Sequence, residues 1–176
     1  MSDMGLLHVY TGEGKGKTTA AVGLSVRAAG CGKRVVFAQF MKGAATGELA
    51  GMQRSPGIEI IRCEEAFPFY NQMNEEEKKR QSNCHNTILE QVLARVEKGA
   101  CDMVILDEVT YPCRWVLLDE ALLRQLLDTA RGQAEVVCTG RDAPQWLLDR
   151  ADYITEMQSV RHPYDKGVRA REGIEY

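Results

Sequence analysis

No stretch of the 176-residue chain approaches the roughly 20 consecutive apolar residues that a membrane-spanning helix needs. The N-terminus does not set a basic stretch before an apolar core, so no secretory signal is expected and a cytoplasmic location is. Clustered basic charge is missing too. The 22 lysines and arginines are scattered among 25 acids, and the formal net charge of −3 disfavours a general nucleic-acid role. The densest basic group, Lys78-Lys79-Arg80, follows three glutamates and reads as a solvated helix face. The six cysteines form no Cys-x-x-Cys pair, and the three histidines complete no zinc pattern. Free, reduced cysteines are therefore expected. Repeats, low-complexity segments and Pro/Ser-rich linkers are absent. One domain, residues 1–176, is expected, long enough to bury a core.

Apolar runs alternate with helical patterns along the chain. Strands are predicted at Leu6–Tyr10, Val35–Phe40, Ile58–Ile61, Met103–Leu106, Glu135–Thr139 and Tyr153–Met157. A helix of small residues is predicted over Thr18–Ala29. A long one should run to about Lys98, opened by Asn74 and Glu77 as a capping box. Asp119–Ala130 reads as a further helix, and Asp142 with Gln145 as the cap of a short one.

The strands are apolar at consecutive positions, so both faces need cover, and interleaved helices supply it. The expected fold is α/β: a doubly wound, mostly parallel sheet with helices on both faces, P-loop NTPase-like and RecA-like. Ligands in such sheets sit at the carboxyl ends of the strands. The glycine-rich turn, Asp107-Glu108 and Thr139-Gly140-Arg141 all fall at such ends, so they should converge on one crevice.

Thr11-Gly12-Glu13-Gly14-Lys15-Gly16-Lys17-Thr18-Thr19 joins the first strand to the first helix. Glycines let backbone N–H groups wrap an anion, and the helix N-terminus adds a favourable dipole. Lys17 can reach a phosphate oxygen, and the Thr18 hydroxyl can ligate Mg²⁺. The usual loop places its first glycine where this chain has Thr11, so the triphosphate need not lie in the common way. Asp107-Glu108 ends an apolar strand, the usual setting of a Mg²⁺-ordering acid. The other member of the pair could serve as a base or as a metal or nucleotide contact.

With these residues laid out, the chain resembles the P-loop class of ATP:corrinoid adenosyltransferases, the CobA/CobO/BtuR family, from about Leu7 to Tyr176. The resemblance is carried by Tyr10–Ala21, Gln39-Phe40-Met41-Lys42-Gly43, Val104–Tyr111, Thr139-Gly140-Arg141, and the ending Val160–Asp165 with Gly173–Tyr176. It implies a reaction in which cobalt(I) of a reduced corrinoid attacks the 5′ carbon of ATP and triphosphate leaves. It also implies ATP held reversed in its loop. Carried over by position, Gly12, Glu13, Gly14, Lys15, Gly16, Lys17, Thr18 and Thr19 would bind the triphosphate. Thr18 and Glu108 would coordinate Mg²⁺, and Arg27 and Arg141 would contact the nucleotide. Lys15, Lys17 and Glu108 would serve catalysis, with Lys15 helping to neutralise the leaving group.

Phe67 and Phe69, in Ala66-Phe67-Pro68-Phe69-Tyr70, align with the family's aromatic pair, which strips the lower axial ligand from Co(II) corrinoid. Core packing is the other reading of these two aromatics. Few residues precede the first strand, where longer relatives carry a segment that helps to cover the corrinoid, so corrinoid closure is expected to depart from the family more than ATP binding does. A homodimer and a flavin-type reductant are further implications of the resemblance. The competing functions are an ordinary ATPase or small-molecule kinase, and a non-catalytic nucleotide or corrinoid carrier.

Overall fold

The computed structural model describes residues 5–43 and 46–174. Of the C-terminal match, Glu175 and Tyr176 lie outside the described residues. The described chain runs β1 (Leu7–Thr11), α1 (Lys17–Gly30), β2 (Val35–Gln39), α2 (Gly47–Gln53), β3 (Ile58–Arg62), α3 (Glu75–Glu97), β4 (Met103–Asp107), α4 (Thr110–Arg114), α5 (Glu120–Ala130), β5 (Glu135–Thr139), α6 (Gln145–Leu148) and β6 (Tyr153–Glu156). Short 3-10 turns stand at Tyr70–Gln72 and Pro163–Lys166.

The six strands pair in the order β3-β2-β4-β5-β1-β6, and every pairing is parallel. The apolar runs explain why. Both β2 and β4 are buried at every position, as strands covered on two faces must be. One face packs Ile88, Leu89 and Val92 of α3 with Leu123 and Leu126 of α5. The other packs Ala21 and Ala28 of α1 with Leu49 and Met52 of α2. The sheet is therefore doubly wound. Chain order reverses direction between β4 and β1, with β5 between them, and the strand ends there face the crevice where such sheets bind ligands.

Local signals set the helix starts. The Asn74 side chain accepts from the Glu77 N–H at 2.9 Å, and the Glu77 carboxylate accepts from the Asn74 N–H at 2.8 Å. Asp119 caps α5 by accepting from Ala121 and Leu122. The expected cap at Asp142 is not made. Residue Pro144 occupies that position before α6, and Asp142 is ion-paired with Arg114 instead. Asp142 itself has a positive φ of 48°, so it turns the loop rather than opening the helix. The expectation of six free cysteines also needs correction. Cys63 and Cys84 form a disulfide, with Cα atoms 5.8 Å apart, because the chain beyond β3 comes back against α3. Cys31, Cys101, Cys113 and Cys138 are free.

Candidate nucleotide site at the strand ends

The loop between β1 and α1 folds on itself through its lysine. The Lys17 ammonium donates to the Gly12 carbonyl at 2.5 Å and the Gly14 carbonyl at 2.7 Å. Burial lowers its pKa and Arg141 lowers it further, while Glu13 and Glu108 act the other way. Two of the glycines answer a steric demand besides wrapping an anion. A Cβ on Gly12 or on Gly14 would lie 2.6 Å from the Met157 carbonyl oxygen, so the chain leaving β6 can cross the loop only over glycine. Gly14 seals that crossing by donating its N–H to the same carbonyl at 2.5 Å.

The end of β4 supplies the acids. Asp107 is fully buried, and its Oδ1 accepts from the Thr18 and the Thr139 hydroxyls, each at 2.8 Å. These bonds tie the start of α1, the end of β4 and the end of β5 to one carboxylate. Glu108 leaves the strand with a left-handed φ of 62°, uncommon for a side-chain-bearing residue and typical of functional turns. Its N–H donates to the Thr139 oxygen at 2.9 Å. Burial raises the Glu108 pKa, the Lys42 ammonium pulls it down, and Asp107 pushes it up again, with a net upward shift. The Lys42 Nζ lies 3.4 Å from Asp107, 3.4 Å from Glu108 and 3.6 Å from Glu48.

The third wall follows β5. Gly140 has φ 143°, and a Cβ there would collide with the Thr110 hydroxyl, which itself donates to the Arg141 carbonyl at 2.7 Å. Arg141 is thereby set opposite Glu13, 3.3 Å away. These walls enclose a cleft of about 1020 Å³. Its far side is made by the C-terminal segment, through Ser159, His162, Tyr164 and Asp165.

A loop, a strand-end acid and an arginine around one cleft describe many nucleotide-binding sheets, and the comparisons with known proteins narrow the choice. The family model for ATP:corrinoid adenosyltransferase BtuR/CobO/CobP matches residues 3–176. The chain belongs to that family. The corrinoid adenosyltransferase of Escherichia coli K12 is 33% identical over 99% of this chain and 87% of its own length. Corrinoid adenosyltransferase CobA of Salmonella typhimurium LT2 shows the same identity and coverage. The Pseudomonas aeruginosa corrinoid adenosyltransferase is 32% identical over 99% of this chain and 85% of its own length. Among solved structures, the flagellar accessory protein FlaH from Methanocaldococcus jannaschii superposes with a TM-score of 0.56 at 14% identity, covering 87% of this chain and 71% of that one. That likeness concerns the fold alone.

In this corrinoid adenosyltransferase family member, the structure brings most of the expected residues together. Glu13, Gly14, Lys15, Gly16, Lys17, Thr18, Thr19, Glu108 and Arg141 all line the cleft. Gly12 does not line it, but its carbonyl accepts from Lys17, which does. Arg27 is not brought there. It is exposed on the last turn of α1, about 15 Å along the helix from Lys17. Phe67 and Phe69 lie outside the cleft as well. Phe67 is half-buried, and Phe69 is 79% exposed, which removes the core-packing reading for Phe69. An aromatic path nevertheless leads from their loop to the cleft. Tyr70 stacks on Trp115 with ring centres 4.6 Å apart, and Trp115 lies 5.3 Å from Tyr111, which lines the cleft.

Sequence reasoning missed Asp107 as the partner of Thr18, and it missed Lys42, Glu48 and Thr139. Lys42 and Thr139 lay inside motifs that marked the family, so a signal existed; Glu48 on α2 had none. Thr18 gives its proton to Asp107, which leaves the hydroxyl lone pairs available to a cation. Thr18, Asp107 and Glu108 form a hard oxygen set of the kind that suits Mg²⁺. Among the described residues no group of three or more His, Cys, Asp or Glu side chains is arranged to hold a metal alone. Such a sparse set fits an ion that keeps its water and takes phosphate oxygens from a substrate.

Proposed function

We infer that this chain transfers the 5′-deoxyadenosyl group of ATP to cobalt(I) of a reduced corrinoid, with triphosphate as the leaving group. Family membership across residues 3–176 carries the reaction class. The observation that supports this cleft as its site is the Thr18–Asp107 bond, which joins the glycine-rich loop to the acid strand end.

In this reading the N–H groups of residues 12–19 and the Lys15 and Lys17 ammonium groups hold the triphosphate. Lys17 exchanges its contacts with the Gly12 and Gly14 carbonyls for a phosphate oxygen. Thr18 and Glu108 hold Mg²⁺, and Asp107 orients the Thr18 hydroxyl. Bound there, magnesium supplies neutralisation of charge on the leaving triphosphate. Arg141 contacts the nucleotide from the opposite wall. Cobalt(I) donates the electron pair of the new Co–C bond. The C5′–O5′ bond breaks, and its pair departs with the triphosphate. No proton moves, so the protein's part is positioning and electrostatic stabilisation of the leaving group.

The exposed Phe67–Phe69 loop meets the lower face of the corrin ring and excludes water and the axial base. The proposal treats residues 1–176 as one catalytic domain. It includes a homodimer, a flavin-type reductant and a cytoplasmic location. Among the described residues no helix is long and apolar enough to cross a membrane. The test is anaerobic incubation with ATP, Mg²⁺ and chemically reduced corrinoid. Growth of Co–C absorbance beyond one equivalent per protein supports an enzyme, and a plateau at one equivalent supports a carrier.

A further inference from the structure

The Lys42 ammonium stands among carboxylates from two elements, Asp107 and Glu108 at the end of β4 and Glu48 on α2, at 3.4–3.6 Å from each. The backbone that carries it is fixed on three sides. The Met41 N–H, in a left-handed turn with φ 61°, faces the buried His85 Nε2 at 3.4 Å. The Lys42 carbonyl accepts from the Arg62 guanidinium at 2.9 Å. Gly43 packs so closely that a Cβ would lie 2.5 Å from the Ala66 Cα. Glu48 is steadied in turn by the Gln39 amide at 3.2 Å.

The placement of the Lys42 backbone is therefore built, while the ammonium is carried on a flexible four-carbon stem. It lies on Asp107 and Glu108, two of the acids that a divalent ion in this cleft would use. Magnesium contacts oxygen at about 2.0–2.1 Å. A second cation on the same carboxylates would sit within a few ångström of the ammonium and be repelled. We propose that Lys42 is the resident counter-cation of this carboxylate group, and that it excludes the divalent ion until a triphosphate offers the ammonium another anion. Metal binding is then conditional on the nucleotide. The cleft does not fill with metal alone, and the lysine that leaves the acids arrives on the phosphates. The inference rests on the reading of this cleft as the Mg²⁺–ATP site.

The probe is Mn²⁺, titrated into the folded protein alone and followed by the free-ion paramagnetic resonance signal and by the unfolding midpoint. Wild type should bind Mn²⁺ weakly and gain no midpoint. Lys42→Gln and Lys42→Met should bind it at least about tenfold more tightly, because three carboxylates are left without their cation. Lys42→Arg should resemble wild type. With ATP present, Mn²⁺ should raise the wild-type midpoint above that with ATP and chelator. Equal Mn²⁺ affinity in wild type and the neutral variants would overturn the proposal. So would tight Mn²⁺ binding by wild type without nucleotide, an arm that stands even if the variants fail to fold. If Mn²⁺ adds nothing to the ATP-bound wild type, the reading of the cleft itself fails, and the proposal with it.

Discussion

Thr18, in the first turn of α1, donates its hydroxyl proton across 2.8 Å to Asp107, the last residue of β4. The same Asp107 oxygen takes the Thr139 hydroxyl, so one buried carboxylate fixes the three segments that build the site.

The two acids at the end of β4 should respond differently to loss of charge. Asp107 is fully buried and holds two hydroxyls, whereas the Glu108 side chain is 27% exposed and shares only Lys42 with it. Asp107→Asn should cost roughly 1–3 kcal/mol in chemical denaturation and weaken Mg²⁺–ATP binding. Glu108→Gln should lower adenosylation while changing stability by no more than about 0.5 kcal/mol. Equal destabilisation by the two would remove Asp107 from its central place.

Among the described residues Lys17 donates to carbonyls of its own loop, so Lys17→Ala should leave the fold intact. Loss of a charge-assisted phosphate contact corresponds to about 1.5–3 kcal/mol of ATP affinity, measured by calorimetry on a variant with wild-type circular dichroism. Unchanged ATP affinity in a folded variant would defeat the phosphate-loop assignment.

Much of this arrangement was legible in the chain. Apolar runs within Val35–Phe40 and Met103–Leu106 announced strands covered on both faces, and the observed β2 and β4 are wholly buried. Asn74 and Glu77 marked the start of α3, because a capping box is local chemistry that needs no tertiary contact. What escaped notice depends on long-range approach. The Cys63–Cys84 pairing spans 21 residues and exists because the chain beyond β3 returns to α3. Asp142 had the composition of a cap, but Arg114 captures it. Glu48 reaches Lys42 from a short helix with no strong periodic pattern. The place of Arg27 came from the resemblance alone, and α1 carries it a helix length away from Lys17.

His85 should set part of the acid sensitivity. Burial lowers its pKa to about 4, although its bond to the Leu117 carbonyl at 2.8 Å pulls upward. The Nδ1 donates there, so the neutral ring presents Nε2 to the Met41 N–H. Below the unfolded value near 6.5 the unfolded chain takes up a proton that the native state refuses. Stability should therefore fall as pH drops from about 6.5 to about 4, by up to roughly 3 kcal/mol, and this contribution should level off below. Denaturant melts across this range check it, and His85→Gln should flatten the slope. An unchanged slope in a folded variant would contradict the assignment.

Phe67→Ala with Phe69→Ala should leave ATP binding intact, since neither ring lines the cleft. Adenosylation should slow strongly when the corrinoid starts as Co(II), because the axial ligand raises the orbital that must accept the electron. With corrinoid already reduced to Co(I), the defect should be much smaller. Equal defects from both starting states would make the rings shapers of the pocket only.

The central claim is that the bond broken in ATP lies at the 5′ carbon. Under anaerobic conditions with Mg²⁺ and Co(I) corrinoid, chromatography of the nucleotide products alongside Co–C absorbance tests it most directly. The account predicts one triphosphate released for each Co–C bond formed, with little ADP, and no turnover without corrinoid. Steady release of ADP and phosphate in the absence of corrinoid would contradict it and make the cleft an ordinary ATPase site.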